Sequence, residues 1–171
     1  MICSSEKDKS LQTAASKGSS SLKRGLVPVF YVYDSYHIPP NNWARILNPT
    51  TSSTIRNTKY DAVFLSLYLS PNNSEKLVLN GFFDGIYTYF VSKKFTYGSN
   101  PNNWSSINSF CERNNLLFSP SIGPGYNDLR VRPWNKENVQ SRAGGEYYKN
   151  YYDAVKKLNP SPAFISITSM N

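Results

Sequence analysis

Five short runs rich in β-branched and aromatic residues recur along this chain, several separated by stretches with helical spacing, and that pattern leaves few folds open. The runs are Val27–Tyr33, Ala62–Leu69, Phe83–Phe90, Leu116–Ile122 and Ala163-Phe-Ile-Ser-Ile-Thr-Ser-Met-Asn171. Parallel strands can be joined only by a crossover, usually a helix, so alternating strands and helices predict a parallel sheet. Such sheets gather their functional groups beyond the C-terminal tips of the strands. The last run reads as a buried strand with its tip at Asn171, a position where catalytic groups usually sit.

The intervening stretches carry their own signals. Pro39 and Pro40 open a short helix around Asn42–Leu47, and Ser74–Leu79 makes about one and a half turns before Gly81 stops it. Trp104, Ile107, Asn108, Cys111 and Leu116 follow approximately helical spacing behind a cap at Asn102 or Asn103. A last helix, Glu146–Leu158, runs between Gly144-Gly145 and Asn159-Pro160. An open doubly wound sheet would fit the strand count as well as a barrel. It would place a Gly-rich phosphate turn after the first strand, where Asp34-Ser-Tyr-His37 stands instead. The expected fold is α/β, an incomplete (β/α)8 TIM-type barrel of about five β/α units.

Residues 1–24 are dominated by Ser, Lys and Gly and predict a disordered segment, whereas 25–171 carries enough apolar residues for one core. The net charge of +8 does not point to a nucleic-acid partner. Five of the 19 basic residues fall in the N-terminal segment and the rest are scattered without a helix-face stripe. Cys3 and Cys111 are too few and too distant for a disulfide framework or a zinc site, and Cys111 reads as a buried small hydrophobe. One His and no carboxylate cluster give no metal or cofactor site. No run approaches the roughly 20 apolar residues of a membrane span, and Met1–Arg24 lacks the apolar stretch of a signal peptide. Asn72-Asn-Ser74 and Asn103-Trp-Ser105 are formal glycosylation sequons, a weak signal.

The candidate site is the set of polar and aromatic residues at strand ends. It comprises Asp34, Tyr36 and His37 after the first strand, Tyr87 and Tyr89 on one face of the third, and the loop holding Tyr126, Asp128, Arg130, Arg132, Trp134 and Asn135. A connection of about twenty aperiodic residues is more often functional than a bare linker. Arg132 offers a fork of donors to hydroxyls or a carboxylate, Trp134 can stack on a sugar ring, and 13 Tyr suit a sugar cleft. Glycoside hydrolysis usually needs two carboxylates flanking the scissile bond. Asp34, Asp61, Asp84 and Asp128 show no persuasive pairing, and Asp84-Gly85 reads as a bulge or a close helix contact.

Several strings carry a resemblance. Phe30-Tyr-Val-Tyr-Asp-Ser-Tyr-His37, Gly81-Phe-Phe-Asp-Gly-Ile-Tyr-Thr-Tyr-Phe90, Ser119-Pro-Ser-Ile-Gly-Pro-Gly-Tyr126, Arg132-Pro-Trp-Asn135 and Ile165-Ser-Ile-Thr-Ser-Met-Asn171 resemble glycoside hydrolase family 99, the endo-α-1,2-mannosidases, in order and spacing. The resemblance implies a (β/α)8 barrel in the Golgi that trims glucosylated mannose from N-glycans with retention of configuration. It further implies that the substrate's own 2-hydroxyl is the nucleophile. One carboxylate takes its proton and another protonates the leaving oxygen. Both belong to a Glu-Trp-His-Glu motif that would follow Asn171, and Met170 stands where Phe is usual. Carried over by motif, Tyr89 and Arg132 line the subsite nearest the cleaved bond, with Tyr36 and Trp134 as binding neighbours. Residues 1–171 alone are therefore expected to be a fragment inactive in isolation, with a mannose-glycan-binding remnant that does not cut as the alternative.

Overall fold

The computed structural model describes residues 27–89, 92–129, 132–134, 139–158 and 166–167. Residues 1–24, Phe90, Arg130, Asn135, Met170 and most of the final apolar run lie outside the described residues. Strands β1 (Val29–Val32), β2 (Val63–Tyr68), β3 (Gly85–Thr88) and β4 (Leu117–Ser119) form one parallel sheet in sequential order. Strands β5 (Ser121–Ile122) and β6 (Ser166–Ile167) continue the progression as a second parallel pair. Sequential order excludes the doubly wound alternative, whose strand order reverses at a switch point. The chain folds as a partial α/β barrel.

Pro120 divides the fourth predicted strand, because proline brings no N–H to the ladder. Thr88 bridges the break: its hydroxyl accepts from the Ser121 N–H at 2.8 Å, while the Ser121 hydroxyl donates to the Thr88 carbonyl. Alternation then sorts the side chains. Leu65, Leu67 and Tyr87, with Val29, Val63 and Leu117, fill the concave interior. Tyr68, Ile86 and Phe118 face the helices.

Helices α1 (Pro40–Leu47), α2 (Pro71–Asn80), α3 (Trp104–Arg113) and α4 (Glu146–Lys156) pack their apolar stripes on that outer face. Trp104 is fully buried, donates from Nε1 to the Gly98 carbonyl at 2.7 Å and meets Tyr151 edge-on at 5.5 Å. Cys111 is buried as expected, and burial pushes its thiol up to about 12.

Two helix starts differ from expectation, and Gly81 ends its helix as expected. Helix α2 starts at Pro71 rather than Ser74; the Ser74 hydroxyl instead accepts from the Leu69 and Ser70 N–H groups. The turn leading into α3 is capped by Asn100, whose side chain accepts from the Asn102 N–H. Gly81 ends α2 with right-handed dihedrals, and Phe82 takes the left-handed turn at φ 59°. Gly85 is required by close approach to a strand, not a helix. A Cβ there would lie 2.3 Å from the Leu117 carbonyl oxygen of β4.

Candidate active site

At the C-terminal end of β1 the chain turns through Asp34, whose φ of 50° is a left-handed conformation that Asp tolerates better than most side chains. The turn is pinned from two sides. The Ser35 hydroxyl accepts from the Leu67 N–H at 3.0 Å, and Trp43 Nε1 of α1 donates to the Ser35 carbonyl at 2.9 Å. Tyr33, immediately before this turn, is thereby fixed at the strand tip.

Tyr31 and Tyr87, one inward step below the tips of β1 and β3, meet edge-on at 5.2 Å, and the Tyr31 hydroxyl lies 3.1 Å from Ser119 Oγ. Above this floor Tyr33 and Tyr89 pack with ring centroids 5.8 Å apart. Burial, followed by hydrogen bonding to Tyr33, holds the Tyr89 phenol above the ordinary tyrosine range, and Arg132 opposes that shift. The hydroxyl of Tyr89 therefore senses Tyr33, Tyr126 and Arg132 together.

The loop after β5 is less formless than its composition implies. Tyr126 and Gln140 form an antiparallel bridge, each N–H donating to the other's carbonyl at 2.9 and 2.7 Å. The bridge holds Tyr126 so that its hydroxyl donates to Asp128 Oδ2 at 2.7 Å. Burial and then that hydrogen bond push the phenol up to about 12. Arg132 Nη1 pairs with the same carboxylate oxygen at 3.6 Å, and the Arg132 N–H donates to the Asp128 carbonyl at 2.7 Å. Asp128 is buried while the Arg132 side chain is about half exposed, so the pair stands at the edge between the protein and solvent.

The structure thus brings together two of the predicted site residues, Tyr89 and Arg132, and adds Tyr33 and Tyr126 to them. Tyr36 is exposed, its hydroxyl donating to Asp34 Oδ1 at 3.0 Å and its ring 4.5 Å from that of His37, and it lies within the field of Tyr33. Trp134 stands 79% exposed on the loop. Tyr33 was not singled out from the sequence; its position two residues beyond inward-facing Tyr31 is the signal that marks it.

The carboxylates do not assemble into a catalytic pair among the described residues. Asp61 and Asp84 lie at the opposite end of the strands and share one cation, Arg56, at 3.3 and 2.9 Å. Asp34 is engaged by Tyr36, and Asp128 by Tyr126 and Arg132. What remains is a binding surface of phenols, ring faces and a guanidinium, suited to a polyhydroxylated ligand with an apolar face.

Residues 14–171 match the family model of glycosyl hydrolase family 99. The chain belongs to that family. It is 47% identical over 145 residues to the glycoprotein endo-alpha-1,2-mannosidase of Mus musculus, covering 85% of this chain and 31% of that protein. A glycoprotein endo-alpha-1,2-mannosidase-like protein of Homo sapiens is 45% identical over the same shares. The GH99 endo-alpha-mannosidase of Bacteroides thetaiotaomicron superposes with a TM-score of 0.78 at 41% identity, over 85% of this chain and 44% of that structure. The family 99 chain thus spans about a third of the length of the curated relatives it matches.

Proposed function

We propose that residues 27–171 supply part of the sugar-binding face of a retaining endo-α-1,2-mannosidase, which trims glucosylated mannose from N-glycans in the Golgi lumen. The observation that carries this reading is the Tyr33–Tyr89–Tyr126–Arg132 cluster at the C-terminal ends of family 99 strands. Active sites of such barrels stand at that end. In this reading the rings of Tyr33 and Tyr89 present apolar faces to mannose, and Arg132 donates to hydroxyls of the sugar nearest the cleaved bond. Asp128 roots the guanidinium and keeps the Tyr126 hydroxyl turned toward itself. Tyr36 and Trp134 are outer binding neighbours.

In this reading the general acid and base are those of the family's Glu-Trp-His-Glu motif; the described carboxylates near the face, Asp34 and Asp128, are already engaged by Tyr36, Tyr126 and Arg132. In this reading residues 1–171 by themselves offer contacts to a mannose glycan without cutting it.

A hybrid tests the reading. Residues 27–171 replace the matching segment of the mouse relative, and hydrolysis of a glucosyl-α-1,3-mannosyl substrate is followed. The hybrid is expected to cleave, and Arg132→Ala within it to lower turnover by on the order of 100-fold, the cost of a lost positioning contact. Lys149→Ala is expected to leave turnover unchanged, because Lys149 pairs with Asp153 on the outer helix α4 at 2.9 Å. A folded hybrid that does not cleave, or that tolerates Arg132→Ala, overturns the proposal.

A further inference from the structure

The segment between β3 and α3 carries Phe95, 42% exposed, with its ring centroid 5.6 Å from that of Tyr89 at a tilt of 43°. Tyr89 in turn meets Tyr33, so three rings follow one another along the rim of the C-terminal face at nearly equal steps. Tyr33 and Phe95 are the exposed ends of the row.

The segment is held without any help from the Phe95 ring. Gly98 N–H donates to the Leu69 carbonyl at 3.3 Å, and Trp104 Nε1 donates to the Gly98 carbonyl. Ser99 Oγ donates to the Tyr89 carbonyl at 2.9 Å, the Tyr151 hydroxyl to the Ser99 carbonyl at 3.0 Å, and Asn103 Nδ2 to the Tyr97 carbonyl at 2.9 Å. Gly98 approaches β2 so closely that a Cβ would lie 2.5 Å from the Tyr68 carbonyl oxygen. Bonds to the ends of β2 and β3 and to helices α3 and α4 fix this backbone. An aromatic ring left half in water on a rigid mount beside a ligand face is a recognition element more than a packing element.

We propose that Phe95 forms a second sugar-stacking position, taking the apolar face of the hexose adjacent to the one held by Tyr89 and Arg132. The inference rests on the reading of the C-terminal face as a glycan site. It makes Phe95 a determinant of preference for longer mannose chains over a disaccharide. Lys93 and Lys94 precede Phe95 in the chain, but a stacking contact with a neutral sugar is insensitive to salt.

Calorimetry of the full 171-residue chain with α-1,2-mannobiose and with a linear α-mannotetraose tests it. The chain is expected to bind the tetraose more tightly than the biose at low and at physiological salt. Phe95→Ala is expected to weaken the tetraose about fivefold to tenfold, the worth of one aromatic stack, while leaving the biose and the thermal melt unchanged. Phe95→Trp is expected to restore tetraose affinity. Equal affinity for the two sugars, an unaltered tetraose affinity in Phe95→Ala, or an equal loss for both sugars overturns the inference, the last because Phe95 would then act only as a cover on Tyr89. If the chain binds neither sugar, the glycan reading of the whole face fails, and the Phe95 inference with it.

Discussion

Arg56 and Arg132 occupy opposite ends of the same parallel strands and are treated in opposite ways. Arg56 is 7% exposed, and every one of its guanidinium donors has a partner. Nε donates to the Leu47 carbonyl at 2.9 Å, Nη1 to Asp61 and the Ala62 carbonyl, and Nη2 to the Phe82 carbonyl and Asp84. These groups flank the starts of β2 and β3, so one side chain ties the ends of α1 and α2 to the strands that follow. It also holds the left-handed turn at Phe82. Arg132 has a single ion pair among the described residues and keeps about half its side chain in water. The first arginine is consumed by the fold; the second is paired with Asp128 through Nη1 and keeps about half its side chain exposed. That division, stability at one end of the strands and the proposed binding face at the other, is what a barrel of this kind permits.

Arg56→Met gives the sharpest contrast. It leaves buried Asp61 and partly buried Asp84 without their shared cation, and is expected to cost about 3 kcal/mol in thermal or urea unfolding. Burial raises the carboxyl pKa of Asp84, and Arg56 opposes that shift. In the variant the folded state holds a proton on Asp84 at still higher pH than the unfolded chain does. Its deficit is therefore expected to shrink as pH falls from neutral into the acid range.

Gly85→Ala comes next at about 2–3 kcal/mol, because its methyl group must displace the Leu117 carbonyl of β4. Both changes should leave any glycan affinity of the surviving folded fraction intact. At the other end, Arg132→Ala is expected to change stability by no more than about 1 kcal/mol while abolishing measurable mannobiose binding. An Arg132→Ala variant that unfolds as readily as Arg56→Met would erase the distinction between the two ends.

The smallest expected effect is alkaline. The Tyr126 phenol is pushed up to about 12, against 10.0 for an unperturbed tyrosine. The folded chain keeps that proton where the unfolded chain has lost it. Its contribution is therefore whole below pH 10 and is lost between pH 10 and 12. Tyr68, Tyr87, Tyr89 and Tyr151 are likewise raised, each chiefly by burial. Stability should fall steeply over that window, and Tyr126→Phe should make the fall slightly shallower.

The two ends also differ in how far the sequence discloses them. The strand runs and their alternation with helices were legible because period-two patterns are local properties, and motif strings, equally local, are what offered Tyr89 and Arg132 as candidates. Arg56 was not. It lies in an aperiodic stretch, and its partners Phe82 and Asp84 are 26 and 28 residues away in the chain, so nothing nearby announces an ion pair. Asp61 accordingly read as the end of a turn, and Asp84-Gly85 as a bulge or a close helix contact. Tyr33 was overlooked for a similar reason, since its neighbour Tyr89 is brought beside it only by the pairing of β1 and β3 with β2. The start of α2 is marked in the sequence by Ser70-Pro71, a helix-opening pair three residues before the expected start at Ser74. Tyr36 came from a motif string, and its contacts with Asp34 and His37 arise within the turn after β1.

The central claim is that the C-terminal face, and not the Arg56 end, meets the glycan. The direct measurement is a backbone and aromatic NMR titration of the isotopically labelled 171-residue chain with α-1,2-mannobiose. Saturable shifts are predicted at Tyr33, Tyr89, Tyr126 and Arg132, with Arg56, Asp61 and Asp84 silent. Shifts concentrated at the Arg56 end, or no saturable shift anywhere, would contradict the account.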